Sequence, residues 1–151
     1  MSIPLPAPMR AALDAARAAA DQGEVPVGAA LVLNGELIAV SANAPRALHD
    51  PTAHAEMRVI RDAAAKLGRE RLEGCDLWVT LEPCAMCAGA IAHARLARLY
   101  YAAPDPKGGA VEHGPRLFTQ PTIHHRPEIY AGIGETEAAL LLRRFFTERR
   151  G

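Results

Sequence analysis

Two short stretches, His54-Ala55-Glu56 and Pro83-Cys84-Ala85-Met86-Cys87, narrow what this chain can fold into. Between them they carry one imidazole, two thiols and one carboxylate, the donor types that hold zinc. A site built from them demands a fold that brings two distant segments to one point. Cys84 and Cys87, three residues apart near a predicted helix start, present both sulfurs on one face. The partial positive charge of a helix N-terminus favours their thiolate forms. Pro83 suits the first helical turn, where its missing N–H is not needed. His54, at the start of another predicted helix, is a third candidate ligand. Three protein ligands leave a fourth position for water, as in catalytic zinc sites.

In this reading Glu56 stands beside the metal and not on it. A carboxylate there can take a proton from the metal's water, whose pKa zinc lowers to about 7, and hand it on. On a regular helix residues i and i+2 point about 200° apart. His54 and Glu56 can therefore serve one metal only at the helix entry, with the small Ala55 between them. Other readings stay open at this point. A Cys-x-x-Cys pair also occurs as a structural zinc knuckle or a redox couple. A structural site would normally use a fourth Cys or His. Cys75 is the spare thiol, expected to pack inertly at a strand start, and His49, in a proline-flanked loop, is a rival ligand. The redox reading lacks a thioredoxin-like strand context and leaves His54-Ala55-Glu56 unexplained.

The remaining pattern supplies the scaffold. Met9, Ala12, Leu13 and Ala16 share one face of an Ala-rich opening helix that ends near Gly23. Residues 27–33 and 36–40 flank Asn34-Gly35, a two-residue hairpin signal. A helix is expected from His54 to Leu67, a buried strand over 76–81, a helix over 84–95 and a strand over 97–102. Residues 104–121 read as loop, 128–130 as a short strand and 135–149 as a closing helix. This α-ββ-α-β-α-β-(β)-α order predicts an α/β fold, a three-layer α/β/α sandwich around a central five-stranded mixed sheet, with residues 1–151 as one domain. Hydrophobic residues make up 50% of the chain and set a substantial core within reach, while 17 basic residues balance 17 acidic ones. Global charge thus provides no pull toward nucleic acid, and an anionic partner must meet a local basic patch. With only three cysteines, no apolar run near the start and no bilayer-length segment, a reducing, cytoplasmic setting is expected.

The chain resembles the zinc-dependent cytidine/deoxycytidylate deaminase superfamily, whose general signature is H-x-E…P-C-x-x-C. Within it the similarity is to the branch that deaminates tRNA adenosine. It runs from Glu24-Val25-Pro26-Val27-Gly28-Ala29 through Asp50-Pro51-Thr52-Ala53-His54-Ala55-Glu56 and Val79-Thr80-Leu81-Glu82-Pro83-Cys84-Ala85-Met86-Cys87-Ala88-Gly89-Ala90, and includes Asp105-Pro106-Lys107-Gly108-Gly109-Ala110 and Arg144-Phe145-Phe146. The resemblance implies His54, Cys84 and Cys87 as ligands of one Zn2+ per subunit and Glu56 as the proton shuttle. It implies Asn43 and Ala55 at the substrate, with Phe145 and Phe146 as further candidates. It also implies a homodimer, and hydrolytic conversion of adenosine to inosine at the wobble position of a tRNA anticodon stem-loop held across the subunit boundary. An anticodon base must splay out of its loop to reach a recessed metal. Arg143, Arg144, Arg149 and Arg150, with Lys107 and Arg116, are the local clusters available to RNA. His113, His124 and His125 are read as loop histidines that could reach substrate. Two rivals remain: a deaminase of a free base or nucleoside (guanine, cytosine or cytidine), which keeps the same metal site, and a non-catalytic zinc-stabilised binding module, for which Glu56 would have no use.

Overall fold

The structure, a computed structural model, describes residues 4–150, excluding the side chain of Arg150. The expectations placed on the first three residues and on the Arg150 side chain lie outside the described residues. Helix α1 (Ala7–Asp21) starts with proline in its first turn and buries Met9, Ala12, Leu13, Ala16 and Ala19. That face is mostly alanine, so the helix can lie close to strand β1 (Gly28–Leu33). The approach is tight: a Cβ at Gly28 would stand 1.9 Å from the Ala12 carbonyl oxygen. Strand β2 (Glu36–Ala42) returns through Asn34 and Gly35, with φ of 51° and 78°, the primed turn expected of Asn-Gly.

Helix α2 (Ala55–Leu67) stops at left-handed Gly68, and β3 (Cys75–Leu81) enters the sheet beside β1. Helix α3 (Ala85–Ala94) then makes the crossover to β4 (Arg98–Ala103), which runs parallel to β3. Strand β5 (Glu128–Ala131) adds in parallel at the edge, and α4 (Glu135–Arg150) closes the chain. The sheet order is β2-β1-β3-β4-β5, antiparallel on one side of β3 and parallel on the other. One apolar core, built on Leu31, Leu77, Val79 and Leu99, takes Val59 of α2 and Ile91 of α3. A second, on the opposite sheet face, joins Met9 and Leu13 of α1 to Trp78 and to Ala138 of α4. This is the expected three-layer arrangement around a five-stranded mixed sheet.

One segment differs from its sequence reading. Residues 104–121 are irregular, as their glycines and prolines predicted, but they are not a simple surface loop. Ala110, Val111 and Phe118 are buried, and Leu117–Thr119 forms a short 3-10 helix. Apolar anchors within the loop pull it onto the sheet, next to the ends of β3 and β4. In open α/β sheets this end, beyond the carboxyl ends of parallel strands, is where ligand crevices form. No helix among the described residues is long and apolar enough to cross a membrane.

Candidate active site

His54, Cys84 and Cys87 meet. His54 Nδ1 lies 3.6 Å from Cys84 Sγ and 3.5 Å from Cys87 Sγ, and one ligand atom from each residue falls within 4.8 Å of the others. Among the described residues, these three are the one group of three or more His, Cys, Asp or Glu side chains placed to hold a metal. Tetrahedral zinc with Zn–S near 2.3 Å and Zn–N near 2.0–2.1 Å requires N-to-S edges of about 3.6 Å. The spacing and the soft donor set both fit that ion. His49, by contrast, sits in a turn at φ 49° and is not in the group. Cys75 is fully buried in β3, also outside it.

Backbone geometry resolves the tension between His54 and Glu56. His54 is the N-cap of α2, with extended φ −71° and ψ 153°, so its side-chain direction is not governed by helical rotation. Glu56 lies in the first turn and is only 4% exposed. Cys84 is likewise the extended N-cap of α3, with Cys87 one turn inside. Both helices therefore point their N-termini at one corner, where the positive ends of their dipoles favour anionic sulfur and carboxylate. The entry to α2 is held by Asp50, whose carboxylate accepts 2.8 Å hydrogen bonds from the Thr52 amide and hydroxyl.

The groups in this corner divide their protons unevenly. Burial pushes the Glu56 carboxyl up to about 7, opposed by hydrogen bonds from its own amide and the Cys87 thiol. The Cys84 thiol is pulled down to about 5 by the hydrogen bond from Cys87, against burial, with His54 adding to the pull. Cys87, hydrogen-bonded to Cys84 and buried beside Glu56, is pushed up and keeps its proton. A cation placed among these atoms would displace that proton, as metal binding to thiols does.

Above this corner opens a cavity of about 280 Å³, whose lining includes Val25, Asn43, Pro45, Glu56, Asp105 and Gly108. Asn43 Oδ1 accepts a 2.8 Å hydrogen bond from the amide of Ala55, itself fully buried. That bond fixes the side-chain amide and leaves Nδ2 as the group free to donate. Two buried acids that the sequence reading passed over hold the walls. Glu24, 4% exposed, accepts from the amides of Arg46 (3.2 Å) and Ala47 (2.8 Å), fixing the segment that carries Pro45. Glu82, 2% exposed, holds the segment that carries Asp105 and Gly108. The available signal was an acid set next to apolar and proline residues, Glu24-Val25-Pro26 and Leu81-Glu82-Pro83, where a solvated charge is out of place.

The aromatic pair of α4 does not join this cavity. Phe145 is buried, with the Arg149 guanidinium 4.6 Å above its ring, and lines a separate groove of about 540 Å³ between α1 and α4. Phe146 is 46% exposed and meets Phe145 edge-on. Arg143, Arg144, Arg116 and Lys107 are all exposed. The Arg46 guanidinium donates to the Gly23 carbonyl at 3.3 Å, and Arg149, which lines the α1–α4 groove, also lies next to Gly23. His113 is bonded to Glu82, His125 contacts the Leu96 carbonyl, and His124 lies against His93.

Comparisons with known proteins converge on the same region. The model of the cytidine and deoxycytidylate deaminase zinc-binding region matches residues 6–103. A tRNA-specific adenosine deaminase of Agrobacterium fabrum is 60% identical over 142 residues, which cover 94% of this chain and 93% of that protein. A solved structure from work on A-to-I editing by tRNA:A34 deaminases at the wobble position superposes with a TM-score of 0.89 at 59% identity, covering 89% of this chain and 98% of the other. A guanine deaminase of Bacillus subtilis is more distant, with a TM-score of 0.64 and 31% identity, covering 95% and 92%.

Proposed function

The chain belongs to the cytidine and deoxycytidylate deaminase family, and from that premise we propose that it hydrolyses adenosine to inosine at the wobble position of a tRNA anticodon. One observation carries the reading. A His/Cys/Cys set with zinc-compatible spacing lies beside a buried carboxylate that is not one of the set, below a cavity with a fixed amide. A structural zinc site has no use for that carboxylate. Similarity favours the RNA substrate over a free base, since a tRNA-specific relative shares twice the identity that the guanine deaminase does.

His54, Cys84 and Cys87 would hold one zinc per subunit. When bound, that ion supplies Lewis acidity, bringing the pKa of a water to about 7. Glu56 does the proton work: it accepts a proton from the attacking water and delivers it to the amino group leaving C6. Water enters and ammonia departs, so the carboxylate ends as it began. Burial pushes this carboxyl up to about 7 in the metal-free corner, and a cation beside it draws the value back down, so it takes and releases a proton readily near neutral pH. Asn43, with Oδ1 committed to Ala55, presents Nδ2 as a donor and selects a ring acceptor on the purine. Ala55 keeps the space between His54 and Glu56 clear.

The partner in this reading is an anticodon stem-loop in the cytoplasm, engaged by a homodimer. Its phosphates would meet exposed guanidinium groups, Arg143, Arg144 and Arg149 on α4 and Arg46 next in sequence to the cavity residue Pro45. Phe146, exposed and away from the cavity, would serve a flanking nucleotide and not the reacting base, while the buried Phe145 supports it edge-on. The test sets zinc-loaded protein against an anticodon stem-loop with adenosine at the first anticodon position, alongside free guanine, cytosine and cytidine. Inosine in the RNA is expected. Turnover confined to the small molecules would overturn the reading.

A further inference from the structure

Glu82 is a buried charge that neither the metal corner nor proton transfer uses. It follows β3 directly and precedes Pro83-Cys84, and its side chain is fully shielded from solvent. Its Oε2 accepts the amides of Val111 (3.1 Å), Glu112 (2.9 Å) and His113 (3.1 Å). Its Oε1 accepts the Asp105 amide at 3.0 Å and faces His113 Nδ1 at 2.7 Å. The amides of 105 and 111–113 thus converge on one carboxylate in an anion-binding nest, while those of Lys107 and Gly108 turn to Asp105 Oδ1. There is no slack in the wrap. A Cβ at Gly109 would stand 2.5 Å from Glu82 Cδ and 2.6 Å from the Asp105 carbonyl oxygen. The same segment carries Asp105 and Gly108, the cavity wall opposite Asn43 and Pro45.

We propose that Glu82 is a positioning residue for substrate: its carboxylate sets the 105–108 wall, and through it the fit of the base, without entering metal binding or proton transfer. The inference rests on the deaminase reading above for the identity of the substrate. Glu82 is itself part of the cavity lining, next to Leu81 and Cys84, so the anchor and the wall it sets are continuous. The anion holds the wall at its Asp105 amide and fixes the chain beyond it through the amides of 111–113, and charged-group hydrogen bonds are worth more than neutral ones. Glu82→Gln keeps the shape, replaces one acceptor oxygen with a donor that faces other donors, and so loosens the wrap.

The experiment measures kcat and KM on the adenosine stem-loop, zinc content, and amide hydrogen exchange in wild type, Glu82→Gln and Gly109→Ala. Gly109→Ala leaves the carboxylate intact and pushes the segment off it from the other side. Both variants should raise KM about tenfold with kcat within about threefold, the signature of lost binding and not lost chemistry. Zinc content should match wild type, and the amides of residues 105 and 111–113 should exchange about tenfold faster while those of β1 do not change. Faster exchange with unaltered KM makes Glu82 purely structural and overturns the proposal. So does a loss of kcat at unaltered KM, or unaltered exchange in Glu82→Gln. A wild-type protein that fails on the stem-loop instead sinks the deaminase reading, and the substrate half of this proposal with it. Should Glu82→Gln not fold, Gly109→Ala decides by the same criteria.

Discussion

Two carboxylates, Glu56 and Glu82, are buried to nearly the same degree, at 4% and 2% exposure, yet their surroundings drive them in opposite directions. Around Glu56 burial dominates, with its own amide and the Cys87 thiol as donors, and the group is pushed up to about 7. Around Glu82 burial also acts upward, but the amides of Asp105, Val111 and Glu112 and the His113 ring outweigh it and hold the group below the usual range. Burial alone does not decide whether an acid is a proton carrier or a fixed anion. The number of donors aimed at it does. The protein places a carboxylate that titrates near neutral pH at the His/Cys/Cys corner and one held ionised at neutral pH in the cavity wall, two residues from Cys84.

The sharpest break in this comparison is a pair of truncations. Glu56→Ala should lower kcat by about 10³-fold or more, with zinc content and melting temperature little altered. Glu82→Ala should do the reverse, costing about 3–5 kcal/mol of stability in denaturant unfolding, because it leaves buried donors unpaired. Equal effects of both on stability would erase the distinction. Acid–base behaviour gives the next test, on zinc-stripped protein. The folded-state value of Glu56 lies above its ordinary 4.5, so its contribution is present below pH 4.5 and is lost as pH rises toward 7. Over that window, unfolding curves should show wild type losing roughly 3 kcal/mol relative to Glu56→Gln. Glu82 carries the opposite sign. Its contribution is present above 4.5 and disappears as pH falls through its depressed folded value, so Glu82→Gln should blunt the acid sensitivity of unfolding. The smallest effect is expected from His113→Ala, which removes one donor of the wrap and should cost about 1 kcal/mol by thermal unfolding.

The same contrast explains what could be read from the sequence. Donor chemistry is local: the candidate ligands His54, Cys84 and Cys87 and the nearby acid Glu56 stand out by residue type and spacing, and the helix-entry position of His54 and Glu56 follows from the roughly 200° separation of i and i+2. Short apolar runs and the Asn34-Gly35 turn likewise encode most of the sheet. Glu82 could not be read this way, because its partners at 105 and 111–113 are found only after the chain has folded back. For the same reason residues 104–121 read as loop, although Ala110, Val111 and Phe118 tie them into the core. In α4 the apolar spacing Ala138, Leu141, Leu142 and Phe145 marks the covered face and leaves Phe146 outside it, in agreement with their exposures.

Inosine formation by Glu56→Ala protein, compared with wild type at matched zinc content on the same stem-loop, tests the account most directly. Both proteins should hold one zinc per chain, with inosine formed by wild type and none above background by the variant. Inosine at a near wild-type rate from the variant would contradict it.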